Sequence, residues 1–234
     1  MRNLIAHFVV ALFLHAGAPA LHGSASAQVP PPAQETARYT GLFAAASRGD
    51  AALITSLAAA GENVNARDGY GRTPLHVAAF AQRHAAMRAL AAAGADPNAL
   101  ESDRYDMVTI ASVANDLPTL KVALAIGNRA TNSTSRYDGT ALIAAAHLGH
   151  ADIVVELIRA GAPLDHINNL GWTALIESIV LGDGGPRHVA TLKALVDAGA
   201  NVNIADRSGA KPLALAKGRG YLAMVALLEK AGVR

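Results

Sequence analysis

Gly71-Arg72-Thr73-Pro74-Leu75-His76-Val77-Ala78-Ala79 is the stretch that decides the fold. A threonine hydroxyl accepts from one of the orphan amides at a helix start, and the proline beside it forfeits no intrahelical bond. Ala78-Ala79 then leaves the helix a small-residue face that a neighbour can approach closely, as do Ala45-Ala46 and Ala145-Ala146. Working outward, the helix opening recurs at Thr40, Thr73, Asp106, Thr140, Thr173 and Lys211, with separations of 33, 33, 34, 33 and 38 residues. A glycine closes a second helix at Gly61, Gly94, Gly127, Gly161, Gly199 and Gly232. Five of the six opening-to-glycine intervals are 21 residues, and the fifth repeat's is 26. Glycine suits the left-handed position that ends a helix.

Seven and four residues before each glycine stand Ile54/Leu57, Met87/Leu90, Leu120/Ala123, Val154/Leu157, Leu192/Leu195 and Val225/Leu228. A spacing of three puts each pair on one helical face. No unit of this size can bury that face alone, so the units must stack. Small polar residues, Asn65, Asn98, Thr131, Asp165 and Asn203, follow the first five glycines by four positions and suit turns. Three residues before the glycine, the first five repeats carry the apolar Ala58, Ala91, Leu124, Ile158 and Val196, whereas the sixth carries Glu229. A polar outer face there is expected of a terminal cap, and no seventh repeat is expected after Gly232.

Composition agrees. Of 234 residues, 52% are apolar, 16% charged and only 4% aromatic, which excludes a highly charged disordered chain and favours closely stacked helices over an aromatic-rich β-sandwich. A net charge of +2 gives no argument for nucleic acid. With no cysteine, disulfides, thiolate metal sites and a cysteine nucleophile are excluded.

The first 27 residues read as a secretory signal peptide: Met1-Arg2-Asn3, an apolar run from Leu4 to Leu14, and Ala25-Ser26-Ala27 as a small-x-small cleavage site after Ala27. The run is far short of the ~20 residues of a membrane span. Residues 28–37, with Pro30-Pro31-Pro32, read as a proline-stiffened spacer, and 38–234 as the repeat domain. The expected product is a periplasmic protein, monomeric and without a membrane span.

These residues resemble the ankyrin repeat. The Gly71–Ala79 stretch and Gly199-Ala200-Asn201-Val202-Asn203 match its signature, and Leu148-Gly149-His150-Ala151-Asp152-Ile153-Val154 matches its inter-helix turn. The resemblance implies an all-α solenoid of about six helix-turn-helix repeats joined by hairpins or long loops, at 38–68, 69–101, 102–135, 136–168, 169–206 and 207–234. It also implies a concave groove, a structural His76 bonding backbone near the hairpin, and likeness to the small exported ankyrin proteins of Gram-negative bacteria. Those work by binding a protein partner, with no reaction and no cofactor implied. The third repeat departs most, since Asp106-Met107-Val108-Thr109 lacks both proline and histidine, which puts its hairpin geometry in question.

No H-E-x-x-H, G-x-S-x-G, P-loop or EF-hand pattern is present. Asn132-Ser133-Thr134 spells a glycosylation sequon but reads as a polar loop. The regularity breaks twice. The link from Gly127 to Thr140 has one residue more than the other four, and repeat five carries five extra residues around Gly182-Asp183-Gly184-Gly185-Pro186-Arg187-His188. Register aligns Glu177 with Val77 and Ala144, a position the resemblance exposes toward the groove, and Trp172 is the one tryptophan. The candidate partner-binding patch is therefore Arg136, Tyr137, His147, Asn168, Asn169, Trp172, Glu177 and Asp183. Equally open is a bland reading in which Trp172 shields the hairpin, Glu177 is solvated and the insertion is surface drift. The alternative function is a small-molecule or metal site on repeats four and five, with Glu177 as acid/base and Arg136 holding an anion. His147, His150 and Asp165-His166 have the spacing for ligands but little specificity, and no metal is expected.

Overall fold

A computed structural model describes residues 30–232. The signal-peptide reading therefore lies outside the described residues. Thirteen helices occur among those residues, in a strict order. A one-turn helix α1 (Ala33–Thr36) precedes six pairs: α2 (Gly41–Arg48) and α3 (Ala51–Ala59), α4 (Pro74–Phe80) and α5 (His84–Ala92), α6 (Met107–Val113) and α7 (Leu117–Ala125), α8 (Ala141–His147) and α9 (Ala151–Arg159), α10 (Ala174–Val180) and α11 (Pro186–Asp197), α12 (Pro212–Gly218) and α13 (Leu222–Lys230). First helices pack on first helices and second on second, each on the next in sequence, giving two layers of helices. No strand occurs among the described residues, only one isolated bridge between Thr134 and Gly139.

Each local signal has a physical counterpart. Thr73, Thr140 and Thr173 accept from the third amide of their helices, and Asp106 does the same for Thr109 at 2.8 Å. Thr40 makes no such bond; there Glu62, just past the closing glycine, accepts from the Leu42 amide at 2.9 Å. Asn128 occupies the same place in repeat three and accepts from Val108 at 2.8 Å. All six closing glycines have φ between +78° and +100°, the region where a side chain would be strained.

The core lies between the layers. Ile54, Met87, Leu90, Leu120, Ala123, Val154, Leu157, Leu192, Leu195 and Leu228 are fully buried, and Leu57 and Val225 pack against them from partly buried positions. Burying a side chain of this size contributes about 1.5–3 kcal/mol. Glu229 is exposed, with Lys217 at 2.8 Å, so the last helix carries its polar residue to solvent.

The chain at and just beyond the spacer's end docks: Tyr39 donates to Asp68 at 2.8 Å, and the buried Arg72 bridges Asp68 and Glu35. Burial and the Asp68 hydrogen bond push the Tyr39 hydroxyl pKa well up. Residues 33–39 thus close the open end of the stack against the first hairpin.

Candidate functional site

Four of the five hairpins between pairs share one device. Asp68, Glu101, Asn168 and Asp206 each stand five residues before a helix opening. Each side chain accepts from two backbone amides of its own turn: Tyr70 and Arg72, Asp103 and Tyr105, Leu170 and Trp172, Ser208 and Ala210. The backbone closes the same turn, from the Asp68 amide to the Arg72 carbonyl, Glu101 to Tyr105, Asn168 to Trp172 and Asp206 to Ala210. Repeat three keeps this geometry despite its departing sequence, with Arg104 at φ 66° where other turns have glycine. The extra residue of the third hairpin sits inside its turn, which closes from Thr134 to Gly139. Adjacent tips are tied by amide-to-carbonyl bonds, Ser102 to Tyr70, Ser135 to Arg104 and Asn169 to Tyr137.

Tyr70, Tyr137 and Leu170 occupy one register position on these tips and are exposed, as is Ile167 nearby. Of the large apolar side chains exposed among the described residues, only Leu222 lies elsewhere.

The five extra residues of repeat five are divided between two elements. Three lengthen α11 at its start, where Pro186 needs no intrahelical partner, and two lengthen the turn before it. The lengthened turn is fastened inward by the buried His188. Its Nδ1 lies 2.7 Å from Asp183 Oδ1 and its Nε2 lies 2.9 Å from the His147 carbonyl. Gly149 makes room for this ring: a Cβ there would sit 3.1 Å from it, at φ +69°. From the other side Tyr221 donates to the Gly182 carbonyl at 2.9 Å.

Glu177 is the main departure from the expected patch. The position taken as groove-exposed is only 4% exposed. Oε1 accepts from Asn168 Nδ2 at 2.9 Å, while Oε2 is buried without a hydrogen-bond donor and lies 3.4 Å from His147 Nδ1. Burial pushes the Glu177 carboxyl up to about 7, against an opposing effect of the Asn168 amide. Burial, and secondarily His188, push the His147 imidazole down. Asn168 is buried as well, with its oxygen on the turn and its nitrogen on Glu177, so it organises the hairpin from within.

The other candidates spread around this centre. Arg136 donates to Asp103 at 2.8 Å, on the preceding hairpin, and does not join Glu177 as an anion holder. Tyr137 and Asn169 are exposed at the tips, Trp172 is half-buried at the hairpin base, and Asp183 is exposed on the inserted turn. Hydrogen bonds to the Gly185 amide and to His188 hold the Asp183 carboxyl below its ordinary range.

His150 Nδ1 is 2.9 Å from the Ser112 carbonyl and His166 Nε2 is 2.6 Å from the Asp138 carbonyl. Among the described residues no three His, Asp or Glu side chains converge as metal ligands. His76 accepts from the Thr73 amide at Nδ1 and faces the Tyr105 carbonyl with Nε2 at 3.2 Å, which makes it a strut between hairpins. Burial pushes its imidazole to about 4, so it stays neutral. The Asn132 amide donates to Asn98 and Asp106, so the sequon nitrogen is engaged in the fold.

A stack of helical pairs that presents hairpin tips along one edge is a repeat protein with an extended surface. The chain belongs to the ankyrin-repeat family: the family model for ankyrin repeats in three copies matches residues 9–101 and 108–206. It is 34% identical over 189 residues to the ankyrin repeat protein YahD of Escherichia coli (strain K12), covering 80% of this chain and 94% of that protein. Among solved structures, an ankyrin repeat domain from Acinetobacter baumannii AYE superposes with a TM-score of 0.77 at 40% identity, covering 82% of this chain and 98% of that one. The ankyrin repeat domain of Bcl-3, a member of the IκB protein family, superposes with a TM-score of 0.75 at 27% identity, covering 84% and 88%. Ankyrin repeats generally mediate protein–protein interaction, and proteins built from them are typically non-enzymatic scaffolds. Among the described residues no helix is long and apolar enough to cross a membrane.

Proposed function

We propose that this chain is an exported, periplasmic, non-enzymatic scaffold that binds a protein partner through its concave groove and hairpin tips. The observation that carries the reading is the exposed apolar row Tyr70, Tyr137 and Leu170 at one register position, with Ile167 beside it. Aromatic side chains supply large contact area at low entropic cost, and exposed apolar groups gathered on one edge are a feature of interaction surfaces. The sequence from Met1 to Ala27 supports export, as a charged start, an apolar run and a small-x-small site.

The alternative of a small-molecule or metal site draws on Glu177 and His147 lying together, but Arg136 is engaged elsewhere and Glu177 Oε2 is closed to solvent. The test is affinity capture from a periplasmic extract with the wild type and a Tyr70→Ser/Tyr137→Ser/Leu170→Ser variant. A specific protein captured by the wild type and lost at least tenfold in the variant is the expected result. Equal capture by both refutes the tip surface, and recovery of the protein only from the cytoplasmic fraction refutes export.

A further inference from the structure

Asp183, His188, His147, Glu177 and Asn168 form one continuous line of contacts. It begins on the inserted turn, where Asp183 meets His188 at 2.7 Å, and passes through the His147 carbonyl, 2.9 Å from His188 Nε2. It continues from His147 Nδ1 to Glu177 Oε2 at 3.4 Å, and from Glu177 Oε1 to Asn168 at 2.9 Å. Asn168 then fixes the turn that carries Leu170 and Trp172. The line therefore runs from the inter-helix turn at one edge of repeat five to the hairpin at the other edge.

One feature makes the line depend on protons. Glu177 Oε2 is buried without a donor, and a carboxylic acid hydrogen there faces His147 Nδ1, 3.4 Å away. With that proton in place no net charge stands at Glu177. Proton loss leaves a desolvated carboxylate beside the Asn168 amide that fixes the hairpin.

The other ionisable groups on the packed helices are engaged or exposed. On the α8 side, Asp106 ahead of α6 binds Asn128 and Asn132, His150 at the mouth of α9 binds Ser112, and Glu156 on α9 lies within 3.9 Å of Lys121 and 3.7 Å of Arg159. On the α10 side, Lys193 pairs with Asp197, Lys217 pairs with Glu229, and Arg187 and Lys211 are exposed, as is Asp152 of α9.

We propose that this line is a proton-responsive link that holds the repeat-five hairpin in place when Glu177 carries its proton, loosens it as that proton leaves, and so makes partner binding depend on pH. The binding consequence rests on the interaction surface proposed above; the link itself is a property of the isolated chain.

Trp172, the single tryptophan, reports on that hairpin directly. Acrylamide quenching of its fluorescence is to be followed from pH 5 to pH 9 in the wild type, Glu177→Gln and His147→Gln, with far-UV circular dichroism at each pH. The wild type is expected to show quenching that rises about twofold along a single titration centred near pH 7. Glu177→Gln is expected to show a flat profile, and His147→Gln, whose amide donates to Glu177, a midpoint displaced to lower pH. A flat wild-type profile, or the same titration in Glu177→Gln, overturns the link. Where Glu177→Gln does not fold, an unmoved midpoint in His147→Gln overturns it. Quenching needs no partner, so a flat profile leaves the capture result standing, and a failed capture beside a titrating Trp172 overturns the binding reading alone.

Discussion

Replacing Glu177 by glutamine keeps the shape of the side chain, lets its oxygen accept from Asn168, and gives His147 Nδ1 an amide donor in place of a bare carboxylate oxygen. The cost of the charge can be worked out. A carboxyl at 4.5 in the unfolded chain and about 7 in the folded one binds its proton more tightly when folded. Its contribution is therefore fully favourable below the unfolded value, and stability drains away as pH rises through the window from 4.5 to about 7. With those two values the penalty is about 0.8 kcal/mol at pH 5 and about 3.3 kcal/mol at pH 8, a difference of about 2.5 kcal/mol. His147 works in the opposite sense. Its imidazole is pushed down on folding, so its contribution is full above its ordinary range and is lost as pH falls. The difference between wild type and Glu177→Gln isolates the carboxyl limb. Urea unfolding followed by circular dichroism at pH 5 and pH 8 should find Glu177→Gln more stable at the higher pH, by about 2–3 kcal/mol beyond any difference at the lower. Parallel pH profiles for the two proteins would refute the argument.

Three further outcomes follow from packing. Leu157→Ala, fully buried in a central second helix, should cost about 2–5 kcal/mol in urea unfolding, and the half-buried Trp172→Ala should cost less; the reverse order would count against a contact role for Trp172. Gly149→Ala and Gly161→Ala share a positive φ, but a Cβ meets His188 only at Gly149, so thermal melts should show the larger loss there, about 1–2 kcal/mol more. Arg72→Met leaves Asp68 and Glu35 without their buried cation and should cost about 3–5 kcal/mol, with limited proteolysis cutting earlier near residues 33–39.

The repeats are legible because stacking imposes them: an apolar pair at a fixed offset from a left-handed glycine recurs in every unit, with at least one member fully buried. What register alone does not convey is which side chains cover a given position. Alignment with Val77 and Ala144 places Glu177 at an exposed position, yet His147 and Asn168 close over it. A signal was present, since the other five repeats carry Ala44, Val77, Ile110, Ala144 and Leu215 there, all apolar. The hairpin organisers were also readable in principle, as Asp68, Glu101, Asn168 and Asp206 keep a constant distance from the helix opening. Their side-chain-to-amide bonds have no apolar periodicity, so a reading led by hydrophobic spacing passes over them. The partition of the insertion depended on Pro186, whose preference for a first helical turn marks where α11 begins.

The hydroxyl of Tyr221, in the final pair of helices, is bonded to Gly182 of the inserted turn, and that turn is pinned through His188 to the carbonyl of His147. Linear arrays ordinarily fray from their ends with little effect further in. Here, detachment of the terminal pair withdraws a clamp whose other jaw closes two units upstream, so wear at the C-terminal rim of this molecule is felt in its interior.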